Sequence, residues 1–394
     1  MADAAAPKQS TNVQRVVPRY RPTSDAALAL ADGVVYRGKA FGAKVDAEGE
    51  SVFTTTMTGY QEVCTDPSFK GQIVCMTYPL IGNYGVTPID DESRQPWIAG
   101  LVVREACDSP SNWRSQGSLN DYLVKYNIPG ISGIDTRALT RHIRTIGDTR
   151  AVLVQNAAGL SDAELVERAR QAPLPGEQDV VDDVSSDHIE QLRPADGPHV
   201  VVIHCGVKRN IIRSLVNRGA RVTIVPYGTP FADIAALNPD GVIVSPGPGD
   251  PARLDSGLDV VRGVLDAELP YFGICLGHQL LARAIGAETS KLKFGHRGGN
   301  HPVRDERTGL VTITAQNHGY RVVEDSLPTG GEWQVALINL NDGSVEGLAH
   351  AERPVISVQF HPEAAPGPLD NGYLFDRFLE MISTRREHQV METR

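Results

Sequence analysis

The chain has 394 residues, too many for one ordinary core, so two domains are expected. With 41% hydrophobic and 22% charged residues it has the composition of a globular protein, and a net charge of −10 with no basic stripe argues against a nucleic-acid partner. Five cysteines, an odd number with no C-x-x-C pair, give neither a disulfide framework nor a zinc site and point to a reducing, cytoplasmic setting; no apolar run approaches the roughly 18 residues of a membrane helix.

In chain order, residues 1–26 are rich in Ala, Pro, Ser, Thr and Arg, but Pro7, Pro18 and Pro22 interrupt any amphipathic helix, so a disordered extension is expected rather than a targeting segment. From 27 to 154 short β-like segments such as Gly33 to Arg37 and Ile73 to Tyr78 alternate with Gly and Pro turns, followed by a helix from Leu139 to Ile146. This is a β-rich α+β domain. The stretch 155–197 is acidic, lacks apolar periodicity and reads as a linker with one helix at Asp162 to Ala172. Residues 198–386 then change pattern. Strands at His199 to His204, Arg221 to Val225 and Gly241 to Val244 alternate with helical segments such as Asn210 to Asn217, which predicts βαβ units and a mostly parallel sheet. Residues 387–394 are taken as a tail.

The strongest chemical signal is Gly273-Ile274-Cys275-Leu276-Gly277-His278-Gln279. Leu269 to Ile274 reads as a buried strand and Gln279 to Ile285 as a helix stopped by Gly286, so Cys275 stands on a strand-to-helix turn. A glycine on each side permits a sharp turn, the layout of a nucleophile elbow with sulfur in place of oxygen. The helix N-terminus should favour the thiolate. Val355 to Phe360 reads as another strand, followed by His361, Pro362 and Glu363. In an extended segment residues i and i+2 share a side, so Glu363 can orient His361 as a base for Cys275, a cysteine triad. Ser245 to Asp250, Cys275 and His361 all follow strand carboxyl ends, where ligands of open α/β sheets bind.

These residues carry a family resemblance. GICLGHQ, the later His361-Pro362-Glu363 and Ser245-Pro246-Gly247-Pro248-Gly249-Asp250 resemble a class I, triad-type glutamine amidotransferase domain of flavodoxin-like fold. Gln316 to Tyr320 and FGHRGGNHPV at 294–303 narrow the likeness to the small subunit of carbamoyl-phosphate synthetase. MTGYQEVCTDP at 57–67, Tyr78 to Asn83 and Asp135 to Thr140 resemble that subunit's own N-terminal domain, a swivelling β/β/α-like fold. The resemblance covers roughly 27–382. It implies an oxyanion hole from the Gly247 and Leu276 amides and glutamine contacts from Ser68, Gly247, Gly249, Leu276, Gln279, Asn317, Gly319 and Tyr320. On spacing alone, Gln279 lies at i+4 from Cys275 on one helix face, while Ser68, Asn317 and Gly319 read as ordinary turn residues.

Other candidates are weaker. His204 and Cys205 are strand neighbours and point to opposite faces; they also depart from the acidic and aromatic pair that usually precedes Gly-Val-Lys-x-Asn in the family. His278, at a helix N-terminus, is a poorer proton acceptor than His361. His296 and His301 lack a third ligand in the sequence pattern and are read as part of an ordered loop, with no metal site expected.

The resemblance implies hydrolysis of L-glutamine through a γ-glutamyl thioester and delivery of ammonia to a large subunit. That partner would use ATP, with Mg, and bicarbonate to make carbamoyl phosphate for arginine and pyrimidine synthesis. No cofactor is expected on this chain. Two alternatives stand beside this reading: an amidotransferase or γ-glutamyl hydrolase serving another acceptor, and a catalytically silent docking or regulatory subunit.

Overall fold

The computed structural model describes residues 25–192 and 196–392; all but the last two positions of the expected N-terminal extension lie outside them. Strand β1 (Ala26–Leu30) shows how the N-terminal half is built. Its residues are all buried: Ala26, Leu28 and Leu30 enter one core cluster, while Ala27 and Ala29 enter another, with residues of the helix Asp162–Gln171. Alternation along the strand thus serves two covered faces. The following strands are β2 (Val35–Gly42), β3 (Ala47–Thr54), β4 (Gln72–Met76), the short β5 (Leu80–Ile81), β6 (Gly100–Val102), the short β7 (Glu105–Ala106), β8 (Pro129–Ser132) and β9 (Thr149–Val154). Seven of them close into a barrel in the order β1-β2-β8-β6-β4-β3-β9, with β5 and β7 paired apart. The helix Thr136–Ile146 packs Leu139 and Ile143, one turn apart, into the same cluster as Leu28, and Asp135 caps it by accepting the Ala138 N–H at 2.9 Å.

The segment read as a linker holds more structure than its composition suggests. Besides the helix Asp162–Gln171 it forms a short helix, Val181–Val184, and β10 (Glu190–Leu192), which pairs antiparallel with a strand of the second sheet. Val181 joins the C-terminal core. A few valines among acidic residues anchor the segment without making a periodic stripe.

The second sheet continues with β11 (His199–His204), β12 (Arg221–Pro226), β13 (Gly241–Val244), β14 (Tyr271–Ile274), β15 (Thr289–Asp305), β16 (Val311–Val322), β17 (Trp333–Asn339), β18 (Val345–His350) and β19 (Val355–Val358). Its ten strands run in the order β10-β12-β11-β13-β14-β19-β18-β17-β15-β16. The stretch β12-β11-β13-β14-β19 is parallel, in the flavodoxin-like order. Val200 and Val202 pack with residues of the helices Arg209–Val216 and Tyr373–Glu392; Val201 and Ile203 pack with those of Asp255–Asp266 and Leu276–Ala284. Helices therefore cover both faces, and these strands read as unbroken apolar runs.

Two expectations are corrected here. FGHRGGNHPV is not a loop but the middle of β15, where register shifts between Lys291 and His296 and between Gly298 and His301 let a glycine-rich ribbon stay paired with β16. Residues 387–392, taken as tail, continue the helix Tyr373–Glu392. Among the described residues, no helix is long and apolar enough to cross a membrane.

Candidate active site

The helix Leu276–Ala284 starts one residue after β14, so Cys275 alone makes the turn, at φ 52° and ψ −98°. Positive φ strains a residue that has a Cβ. The flanking glycines do more than relieve the turn: a Cβ on Gly273 would lie 2.6 Å from the Gly277 carbonyl oxygen, and one on Gly277 would lie 2.2 Å from that of Val244. Helix, β14 and β13 are thereby pressed together, with the cysteine at the helix N-terminus.

His361 follows β19 and is tied by its N–H to the Ala315 carbonyl at 2.9 Å. Its Nδ1 lies 2.7 Å from Glu363 Oε1, with both side chains buried, and Nε2 has no hydrogen-bond partner. Two residues that sequence reasoning passed over complete the group. Lys208 Nζ lies 3.1 Å from the same carboxylate oxygen and donates to the Ala364 carbonyl at 2.5 Å, and Asn210 donates to the Glu363 carbonyl. Burial opposes charge on Glu363, but Lys208 and His361 outweigh it and hold its carboxyl down to about 2. Burial also opposes charge on His361, yet Glu363 and the nearby Cys275 raise it to about 10. The stretch Gly206 to Asn210 held the signal for Lys208, but a lysine is so rarely buried that it reads as surface.

A cleft opens on Cys275 between the two halves of the chain. It is lined by Ser68, Gln72 and Glu50 of the N-terminal half, by Gly247, Gly249, Gln279, Asn317, Gly319 and Tyr320, and by Pro175 and Gly176 of the connecting segment. Leu276 sits beside it: a Cβ on Gly247 would meet the Leu276 side chain at 2.7 Å and the Cys205 carbonyl at 2.4 Å. All eight positions implied as glutamine contacts thus gather at one place. The Ser68 hydroxyl oxygen is buried in the cleft without a hydrogen-bond partner. Asn317 Nδ2 donates to Asp66 across the domain boundary at 2.9 Å, and the Asn317 carbonyl lies 3.7 Å from the Cys275 sulfur. Gln279 spends its NH2 on the Tyr320 carbonyl (3.0 Å) and Gln359 Oε1 (3.2 Å), which leaves Oε1 as an acceptor.

Charged groups in the cleft were not legible beforehand. Glu50 Oε1 accepts from Lys291 at 2.7 Å and Oε2 from Gln72 at 2.8 Å, while Arg297 and Asp148 form a buried pair at 3.1 Å. Such partners are far apart in the chain, and no local motif announces them.

Cys205 lies in the apolar core, where burial pushes its thiol up to about 12, and burial lowers His204 to about 4. His278 Nδ1 bonds Ser357 Oγ at 2.9 Å, and burial lowers it to about 3. His296 does meet further possible ligands: atoms of His296, His318 and Glu346 lie within 4.8 Å of one another. That part of the loop reading is corrected, because β16 and β18 supply what the local sequence lacks. Both Glu346 oxygens are engaged, however, each accepting at 2.8 Å from the amides of Asn339 and Gln316.

A doubly wound sheet with a cysteine on the elbow at a strand end defines the class I glutamine amidotransferases, and the family model Glutamine amidotransferase class-I matches residues 201–381. The model Carbamoyl-phosphate synthase small chain, CPSase domain, matches 28–153. Relatives called Carbamoyl phosphate synthase small chain come from Symbiobacterium thermophilum, 51% identical over 359 residues, and Archaeoglobus fulgidus, 49% over 364. The alignments cover 90% and 92% of this chain and 97% and 99% of those proteins. A solved glutamine amidotransferase from Thermotoga maritima has a TM-score of 0.35 at 18% identity, covering 49% of this chain and 85% of that one. The chain belongs to the carbamoyl phosphate synthase small chain family, and as a member it is a glutamine-hydrolysing enzyme subunit.

Proposed function

We propose that Cys275, His361 and Glu363 hydrolyse L-glutamine and that the ammonia passes to a large synthetase subunit. The observation that carries this reading is the elbow cysteine beside a buried His361-Glu363 pair, opening on a cleft with an unpartnered Ser68 hydroxyl.

His361, raised by Glu363 toward its imidazolium form, takes the Cys275 proton on Nε2 before sulfur bonds to the substrate's side-chain amide carbon. The amide oxygen takes the electron pair and is held by the Gly247 and Leu276 N–H groups; as the first helical residue, Leu276 has no intrahelical acceptor for its own. The C–N bond then breaks, His361 gives its proton to the leaving nitrogen, and ammonia departs from a γ-glutamyl thioester. Water attacks the thioester with His361 as base, releasing glutamate and restoring the thiol. Glu363 and Lys208 fix the imidazole's orientation and balance its charge. Gln279 Oε1 accepts from the substrate's α-ammonium, and Ser68 supplies a further polar contact.

The partner, a large subunit using ATP, Mg and bicarbonate, makes carbamoyl phosphate for arginine and pyrimidine synthesis; no cofactor is assigned to this chain. In the reconstituted two-subunit complex, Cys275→Ser should abolish carbamoyl phosphate formation from glutamine while formation from ammonium salts persists. Retained glutamine-dependent synthesis in that variant would rule the reading out.

A further inference from the structure

Behind the cleft wall that carries Asn317, Gly319 and Tyr320 runs a row of polar side chains in close contact. Asp342 Oδ2 lies 2.9 Å from His296 Nε2, and His296 Nδ1 lies 3.6 Å from Glu346 Oε1. Glu346, wholly buried on β18, accepts from Asn339 Nδ2 and Gln316 Nε2. Gln316 Oε1 then lies 2.9 Å from His318 Nε2, and His318 Nδ1 lies 2.7 Å from the Tyr320 carbonyl oxygen. That same carbonyl accepts from Gln279 at 3.0 Å. The row joins a carboxylate remote from the sulfur to a side chain of the cleft.

We propose that Glu346 is a positioning residue for the glutamine cleft, acting through Gln316 and His318 on Asn317, Tyr320 and Gln279. The proposal rests on the reading of this cleft as the glutamine site. Two features make such a support necessary. β16 is the last strand of the sheet, held by β15 on one side and on the other only at Ala315 by the His361 N–H, and β15 slips register on both sides of the stretch facing Gln316 to His318. Backbone pairing alone therefore holds this wall loosely. The carboxylate also dictates orientation: Gln316 must turn its NH2 toward Glu346, so its carbonyl must face His318. Burial and the neighbouring His296 keep His318 well below the usual histidine range, and a neutral ring donates to one of its two acceptors at a time. The orientation of Gln316 thus decides what His318 and the Tyr320 carbonyl can offer Gln279. A carboxylate buried this deeply is costly unless its oxygens are hydrogen-bonded, and both oxygens of Glu346 accept from side-chain amides.

The test is made in the complex with the large subunit, with wild-type glutamine hydrolysis as the reference. Glu346→Ala should raise KM for glutamine about tenfold, the scale of one lost hydrogen bond to a charged group, with a smaller change in kcat. Glu346→Gln keeps an acceptor for Gln316 and should recover most of the affinity. The pair Glu346→Leu with Gln316→Leu removes both partners together and should regain thermal stability while KM stays high. An unchanged KM in folded Glu346→Ala overturns the proposal, and so does a KM that recovers along with stability in the double variant. A wild-type complex unable to hydrolyse glutamine would instead bring down the glutaminase reading beneath it.

Discussion

Lys208 Nζ lies 3.1 Å from Glu363 Oε1, and both side chains are sealed from solvent. The contact joins the loop after β11 to the loop after β19, so two strand ends of the parallel sheet are fastened directly behind the His361 imidazole. Removing one member of a buried ion pair leaves the other uncompensated and costs about 3 to 5 kcal/mol. Lys208→Met should therefore destabilise the chain on that scale in urea unfolding and lower glutamine hydrolysis, whereas Lys208→Met combined with Glu363→Gln should be less destabilised than the single change. Strictly additive losses would show that the two side chains do not act as a pair.

Acid-base roles can be separated by substitution. His361→Asn should lower glutamine hydrolysis by roughly 10² to 10⁴, with a smaller loss for Glu363→Gln, which keeps the imidazole but removes its anchor. His278→Asn should leave most activity but change the pH dependence of stability. Burial holds His278 near 3 against an ordinary 6.5, so its neutral form favours the fold above 6.5, and that contribution is lost as pH falls toward 3. Over that window the wild type should lose up to ~1.4 kcal/mol per pH unit more than His278→Asn. A larger loss of hydrolysis in His278→Asn than in His361→Asn would show that the wrong histidine was chosen as base.

An electrophilic glutamine analogue should label Cys275 among the five cysteines. Burial raises Cys75 and Cys205 to about 12 and Cys64 further still, and Cys107 lies outside the cleft. Peptide mapping after a stoichiometric reaction reads this out, and a dominant adduct on Cys205 would overturn the site assignment.

What the sequence revealed and what it hid follow from range. The elbow was legible because its requirement is local: Gly273 and Gly277 flank Cys275, and their close backbone approaches need no side chain at those positions. His361 and Glu363 were legible by the two-residue repeat of extended chain. Ser68 is implied at the cleft only through resemblance, since Thr-Asp-Pro-Ser is an ordinary turn until the two halves of the chain meet around it. Glu50, Gln72, Gly176 and Lys291 gave no signal, because their meaning lies in partners such as Lys291 and Glu50, 241 positions apart. The antiparallel extension from β18 to β16 was missed for another reason: in FGHRGGNHPV the glycines that permit bulges also erase strand propensity.

Ammonia released to neutral water becomes ammonium and loses its nucleophilicity, so a glutaminase feeding a synthetase must keep its product away from solvent. Beside His361 lies a small cavity that shares Asn317 with the glutamine cleft and is lined further by Thr54, Val63, Phe69, Ala315 and Pro366. This cavity is where an exit path toward the large subunit should begin. Position 367 is a poor place to block it, because Gly367 has φ 140° and an added Cβ would lie 2.6 Å from that of Ala315, straining the backbone at the triad. Val63 is the better probe, since its helix Tyr60–Thr65 belongs to the N-terminal half and carries no triad residue. Val63→Phe should fill the cavity at an overpacking cost of about 1 to 3 kcal/mol, with glutamine hydrolysis retained and carbamoyl phosphate formed from glutamine falling well below the glutamate released. Synthesis from added ammonium salts should persist, which separates a blocked path from a damaged partner. Measuring glutamate and carbamoyl phosphate side by side in the complex decides the matter: full coupling in a folded Val63→Phe complex would mean that ammonia leaves by another route.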